Sequence, residues 1–462
     1  MRTIRVDHPA TGEAYCEVAL LERPALDPLL DRAVAAQQAW GRAPVEDRVA
    51  LVRRFVERFL EAGEAVARDI TGMMGKPIAQ ARREVETMAE RARHMAGEAP
   101  GALADQVLPE KPGLFRKIER VPLGVVVDIA PWNYPLLTAV NVIAPAVLAG
   151  NAVVVKHAAR TPLCAEAFAR AFERAGAPPG LVQAAHLDHA TAAALLAHPA
   201  VRYVALTGSV PAGRAVYRQA AERLIDCGLE LGGKDPAYVC EDADLDFAIA
   251  NVSDGAFYNA GQSCCAVERV YVHRAVHDRF LEGAVAFARA LRLGDPFRDE
   301  TTLGPLAQPG APEEIAAKVD EARRRGARVL AGGRPTTVGG RGRFLEPAVV
   351  ADATPDLALM AEETFGPVLA VARVDSDDEA VRLMNDSRYG LSASVWTRDR
   401  ERAERLCARL EAGTVYMNRC DFLDPALPWV GVKESGLGCT LSRLGLEALT
   451  RPKSWHFRVT TP

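Results

Sequence analysis

Between residues 121 and 230 the chain alternates short apolar, β-branched runs with helix-length segments, and few folds accept that pattern. VPLGVVVDIA (121–130) reads as a strand, and Pro135 suits the first turn of a helix ending near Gly150. AVVVKHA (152–158) is the next strand, and Thr161-Pro162 opens another helix closed by Gly176. LVQAAHL is a strand, ATAAALLAH a helix and RYVALTG a strand. Strands separated by crossover helices pair in parallel, so this stretch predicts a doubly wound α/β sheet. The alternation resumes over 236–412. The first hundred residues show instead the apolar spacing of helices, in RVALVRRFVERFLEAGEAVARDI and REVETMAERARHMAG.

One segment needs a second reading. Ile129 to Val155 carries no formal charge and is long enough to span a bilayer. Asn133, Asn141, Pro145, Gly150 and Asn151 divide it, so it reads as a buried helix followed by a strand that ends at Lys156. No membrane association is expected. The 462 residues suffice for about three domain-sized units. A formal charge of −4, with no Lys/Arg-rich run, argues against a nucleic-acid partner. The start, MRTIRVDHPATGE, has no apolar signal-peptide core. The nine cysteines are scattered and include no CxxC, so neither a disulfide framework nor a metal site is expected. A reducing compartment, the cytoplasm, follows.

Two motifs carry chemistry. GSVPAG (Gly208, Ser209, to Gly213) stands between the strand RYVALTG and a helix. Such a turn lets backbone approach a ligand, and free N–H groups at the helix start favour a pyrophosphate. It reads equally as a tight turn with Ser209 as N-cap. YNAGQSCCAVER (258–269) puts Cys264 and Cys265 side by side. Consecutive Cα atoms lie about 3.8 Å apart, below the roughly 4.4 Å usual for a disulfide, so packing or catalysis remains.

NAGQSCCAVER resembles the active-cysteine motif of the aldehyde dehydrogenase superfamily, with Cys264 at the nucleophile's position and Cys265 at a packing position. LELGGKDP (229–236) resembles the family's glutamate motif and PWNYP (131–135) its asparagine segment. VVVKHA, GSVPAG, EETFGP (362–367) and Asn418 match in order, from HPATGE near residue 8 to KESGLG near 438. The resemblance implies oxidation of an aldehyde to a carboxylic acid through a cysteine thiohemiacetal and thioester, with NAD or NADP as acceptor. It implies Asn133 and the Cys264 backbone N–H as oxyanion donors and Glu230 as the base for hydrolysis, with Glu268 a rival carboxylate. Trp132, Lys156, Ala159, Gly208, Ser209, Gly213, Glu363 and Phe365 are the implied cofactor residues.

Two departures are informative. The family's frequent glutamate three residues after the lysine is here Ala159, which predicts acceptance of NADP, with Arg160 a candidate to neutralise its 2′-phosphate. The segment NRCDFLDPALPW (418–429) carries no recognised substrate pattern. Tyr258, Phe422 and Trp429 are expected to form an apolar pocket, while Arg419 is the alternative, a receptor for a substrate carboxylate. A semialdehyde dehydrogenase, a CoA-acylating variant and a silent binding protein are the competing readings; retention of Glu230 disfavours the second, and retention of Cys264, Asn133 and Glu230 together disfavours the third. The implied architecture is α/β: a Rossmann-like dinucleotide-binding domain (1–103 and 123–231), a catalytic α/β domain (232–435), and a β arm with the tail (104–122 and 436–462). The arm and tail imply a homodimer or homotetramer.

Overall fold

Strands Val125–Ala130 and Ala152–His157 are buried along nearly their whole length, as strands covered on both faces must be. In this computed structural model, which describes residues 2–460, they form the middle of a six-stranded sheet. Met1, Thr461 and Pro462, the ends of the first and last segments outlined above, lie outside the described residues. The order is Gly436–Leu437, Asp226–Glu230, Val201–Thr207, Val125–Ala130, Ala152–His157, Val182–Ala184. All neighbours are parallel except the first pair.

Helices cover this sheet because their apolar spacing gives each one a continuous face. In Val45–Glu61 that face is Val49, Val52, Phe55, Val56 and Phe59, all buried. Phe55 stacks on Phe172 of the helix Pro162–Arg174, with ring centroids 4.1 Å apart. Among the described residues no helix is long and apolar enough to cross a membrane.

VPLGVVVDIA is not one strand, as its composition suggested. Gly124 has φ 132° and breaks it, and the Asn151 carboxamide oxygen accepts from the backbone N–H groups of Leu123 and Gly124. Leu114–Pro122 joins Gln106–Val107 and Thr450–Arg458 in a separate antiparallel sheet, the arm. The first tail residues pair with the other sheet, while Glu447 further on meets Arg120 of the arm. Gly436 and Leu437 pair with Glu230 and Leu229, and a side chain at Gly436 would collide with the Leu229 carbonyl.

A second, seven-stranded sheet runs Arg328–Ala331, Ala348–Ala351, Val368–Val374, Val267–His273, Asp235–Val239, Ser392–Trp396, Thr414–Met417. Apolar clusters fill both of its faces. The chain passes from the first sheet to the second through Leu231, Gly232, Gly233 and Lys234.

Candidate active site

Strand order in the first sheet reverses between Val125–Ala130 and Val201–Thr207, so a crevice opens at their carboxyl ends. Asn133 follows the first of these strands, Lys156 stands near the end of its neighbour, Gly208 follows the other, and Glu230 ends Asp226–Glu230. Four residues far apart in sequence are thereby brought to one edge.

Cys264 reaches this crevice from the second sheet. The helix Leu245–Phe257 gives way to a turn in which Asn259, Ala260 and Gly261 all have positive φ, at 52°, 54° and 68°. Two non-glycine residues there are costly, and hydrogen bonds over-determine the turn. Asn259 Nδ2 donates to the carbonyls of Asn133 (3.1 Å) and Gln262 (3.2 Å), and Gln262 Nε2 donates to the Asn259 carbonyl (3.0 Å). Ala307 N–H donates to Gln262 Oε1 at 2.9 Å. Gly261 must be glycine for a second reason: a Cβ would meet the Gly366 carbonyl oxygen at 2.2 Å.

The buried Asn133 is tied to the same turn, its Nδ2 donating to the Gln262 carbonyl at 3.1 Å. One amide N–H remains for another acceptor. Cys264 is partly exposed to a cavity of about 360 Å³ that Glu230, Tyr134, Tyr258, Phe422 and Trp429 also line. Cys265 is buried. Its link to the Cys264 thiol and its burial hold it well above the usual thiol range, and it donates to Asp421 Oδ1 at 2.9 Å.

Burial pushes Glu230 up to about 7, against the Thr440 hydroxyl, the Arg91 guanidinium and Thr207, which favour its charged form. Thr440 Oγ1 donates to Glu230 Oε1, and Thr440 is held in turn by reciprocal backbone hydrogen bonds with Trp429 at 2.8 and 3.1 Å. Glu268 is occupied elsewhere. It pairs with Lys234 and accepts from the backbone N–H groups of Thr364 and Phe365, so it anchors the EETFGP loop to the strand after the cysteines.

Comparison with known proteins gives the family. The aldehyde dehydrogenase family model matches residues 1–455. The chain is 38% identical over 447 residues to a succinate-semialdehyde dehydrogenase [NADP(+)] of Deinococcus radiodurans, covering 96% of this chain and 93% of that one. It is 36% identical over 449 residues to a betaine aldehyde dehydrogenase of Rhizobium leguminosarum bv. trifolii, covering 97% and 92%. The solved structure of Gox0499, 36% identical, superposes with a TM-score of 0.95 and covers 98% of this chain and 99% of that one. The chain belongs to the aldehyde dehydrogenase family. It is an oxidoreductase that converts aldehydes, with NAD or NADP as acceptor.

The residues on the other side of the crevice fit such a dinucleotide. Lys156 Nζ makes no hydrogen bond or ion pair among the described residues, and burial lowers its pKa. Ser209 caps the helix Val210–Glu222 by accepting from Ala212 N–H at 3.4 Å. A Cβ at Gly213 would meet the Leu231 methyls at 2.6 Å, so glycine allows this helix to pack against the end of Asp226–Glu230. Among the described residues Glu363 Oε1 accepts only the Gly233 N–H (3.1 Å), and burial pushes its carboxyl up to about 7. Trp132 meets Phe365 edge to face, centroids 5.5 Å apart.

Arg160 is committed elsewhere. Its Nη1 donates to the Asp7 carbonyl (2.8 Å) and Oδ1 (2.6 Å) and to the Met73 carbonyl (3.3 Å), so the fold uses this end of the guanidinium to tie the N-terminal hairpin, a role the sequence did not suggest. Arg419 lies 3.3 Å over the Phe422 ring at the exposed side of the cavity. Sequence reasoning missed Thr440, Asp421 and Arg91. Arg91 alone had a signal: it shares a helical face with Met88, Met95 and the single opposite charge Glu84, and a charge on a largely apolar face asks for a partner.

Proposed function

We propose that Cys264 is the nucleophile, Glu230 the base, and the Asn133 amide with the Cys264 backbone N–H the oxyanion donors of this dehydrogenase. The convergence of Cys264 and Glu230 on one cavity, with Asn133 fastened to the cysteine turn, carries the reading. The Cys264 sulfur adds to the aldehyde carbon, and the carbonyl oxygen gains the negative charge. Donors aimed at that oxygen are commonly worth about 3–4 kcal/mol in the barrier. The dinucleotide, when bound, supplies the hydride acceptor; Lys156, Glu363, Trp132, Phe365 and the Gly208–Gly213 turn would hold it. Loss of hydride leaves a thioester on Cys264. Glu230 takes a proton from water, the water oxygen attacks the thioester carbon, the C–S bond breaks, and the proton passes from Glu230 to the leaving sulfur, which gives the acid and the free thiol. A base so placed contributes typically 10²–10⁴-fold.

Cys265 stays a thiol because burial and its neighbour raise its pKa, which supports Cys264 as the reacting sulfur. Ala159 leaves room for NADP beside NAD. Tyr258, Phe422 and Trp429 bound the substrate's path. The domains follow the two sheets and the arm. Apolar side chains exposed on the arm and tail, Val107, Phe115, Phe457 and Val459, support a homodimer or homotetramer, which light scattering on a sizing column checks. Nine unpaired thiols suit the cytoplasm. The decisive test is a rapid-mix measurement of the reduced dinucleotide. A burst stoichiometric with enzyme is expected in wild type, and its presence in Cys264→Ser would refute the assignment.

A further inference from the structure

Two helices give the cavity around Cys264 a polar corner. Thr87 and Arg91 stand one turn apart on Ile78–Ala102, and Thr138 and Asn141 one turn apart on Leu137–Leu148. Arg91 is only 5% exposed. Its Nη1 donates to the Leu137 carbonyl (3.1 Å) and to Asn141 Oδ1 (3.3 Å), which fixes one end of the guanidinium. The buried Nε has no partner, and Nη2 donates to no acceptor among the described residues. Glu84, the carboxylate on the same helical face, is spent on Lys76 and on the Leu136 backbone N–H.

A buried guanidinium with three of its five N–H donors idle is expensive, and the idle donors here are those of Nε and Nη2. The Nε–Nη2 edge presents two parallel N–H groups spaced for the two oxygens of a carboxylate. Asn141, which lines the same cavity, has an Nδ2 that makes no hydrogen bond among the described residues and is a further donor in this corner. Arg419, the cation singled out in the sequence, is a poorer receptor because it is exposed and already lies on Phe422.

We propose that the Nε–Nη2 edge of Arg91 binds the terminal carboxylate of a substrate that carries its aldehyde at the other end, an ω-carboxylated semialdehyde. This rests on Cys264 being the nucleophile, since the same cavity then holds both ends of one molecule. Burial raises the carboxyls of Glu230 and Asp421 to about 7 and that of Asp254 above its ordinary range, which reduces the negative charge that would repel such a substrate.

The test compares kcat/KM for succinate semialdehyde and butanal, and for the five-carbon pair glutarate semialdehyde and pentanal. Wild type, Arg91→Met and Arg91→Lys are measured. Wild type should favour the acid of at least one pair, and Arg91→Met should reduce that acid-to-neutral ratio by about tenfold to a hundredfold, chiefly through KM, the range of a lost charge-assisted hydrogen-bond pair. Arg91→Lys should recover part of the ratio and serves as the folded variant if Arg91→Met fails to fold. An equal fall for acid and neutral substrates would place Arg91 in service of the Glu230 charge and overturn the proposal, as would a wild type that prefers both neutral aldehydes. Calorimetric titration with succinate and glutarate reads the site without turnover: wild type should bind one of them and Arg91→Met should not. Binding without any aldehyde oxidation would count against the Cys264 reading alone, whereas absence of binding would count against the Arg91 site.

Discussion

Gly233 lies so close to the backbone of Cys264 that a Cβ built on it would stand 2.1 Å from the Cys264 carbonyl oxygen. The chain between the two sheets therefore seats the Cys264 loop directly, backbone against backbone. Gly233→Ala should move that loop and cost turnover well beyond the usual 1–3 kcal/mol of an overpacked core site. The measurement is kcat together with the rate of Cys264 alkylation. Wild-type values for both would show that the contact is not needed.

The two cysteines should separate cleanly. Cys264→Ser is expected to abolish dehydrogenase turnover. Cys265→Ala removes a buried thiol and its contacts with Asp421, Ser263 and the Cys264 thiol, and should keep most of the activity. Exchange of these outcomes in a steady-state assay would mean that the sulfur on the reaction path is Cys265.

Thioester hydrolysis should require the ionised form of Glu230. With its carboxyl raised to about 7, the base is present above that pH and is lost as pH falls through it, by about tenfold per unit. Glu230→Gln should still form the acyl-enzyme, visible by mass spectrometry, while steady turnover slows. Unimpaired turnover in that variant would remove Glu230 from the hydrolytic step.

Thr440 sharpens the same expectation. Its hydroxyl donates to Glu230 Oε1 and so favours the charged carboxylate. Thr440→Val should shift the acidic limb of the hydrolysis profile upward by about one pH unit. A pH–rate series on acyl-enzyme breakdown checks it, and an unmoved limb would leave Thr440 a purely structural partner.

Cofactor choice should turn on Ala159. A glutamate there would repel a 2′-phosphate, so Ala159→Glu should shift the kcat/KM ratio toward NAD by about tenfold, the equivalent of 1.4 kcal/mol. Arg160→Ala should lower thermal stability, through its lost pairing with Asp7, and leave the cofactor ratio in place. A change in that ratio on removing Arg160 would show that the residue does reach the cofactor.

The sequence by itself determined the layer type, because β-branched runs such as AVVVKHA can be buried on both faces only in a parallel sheet covered by helices. It also determined the family and the candidate residues Cys264, Glu230 and Asn133, since their motifs are local and stand in order along the chain. Only the tertiary structure decided who their partners are. Thr440 meets Glu230 across 210 positions, and Asn259 meets Asn133 across 126, contacts that no local pattern encodes. Arg160 looked free beside Ala159 but is claimed by Asp7, because a side chain's partner depends on which distant strand folds over it. Arg91 is the converse case: its charge was visible on a largely apolar helical face shared with Glu84, but the idle edge of its guanidinium exists only where two helices and a cavity meet.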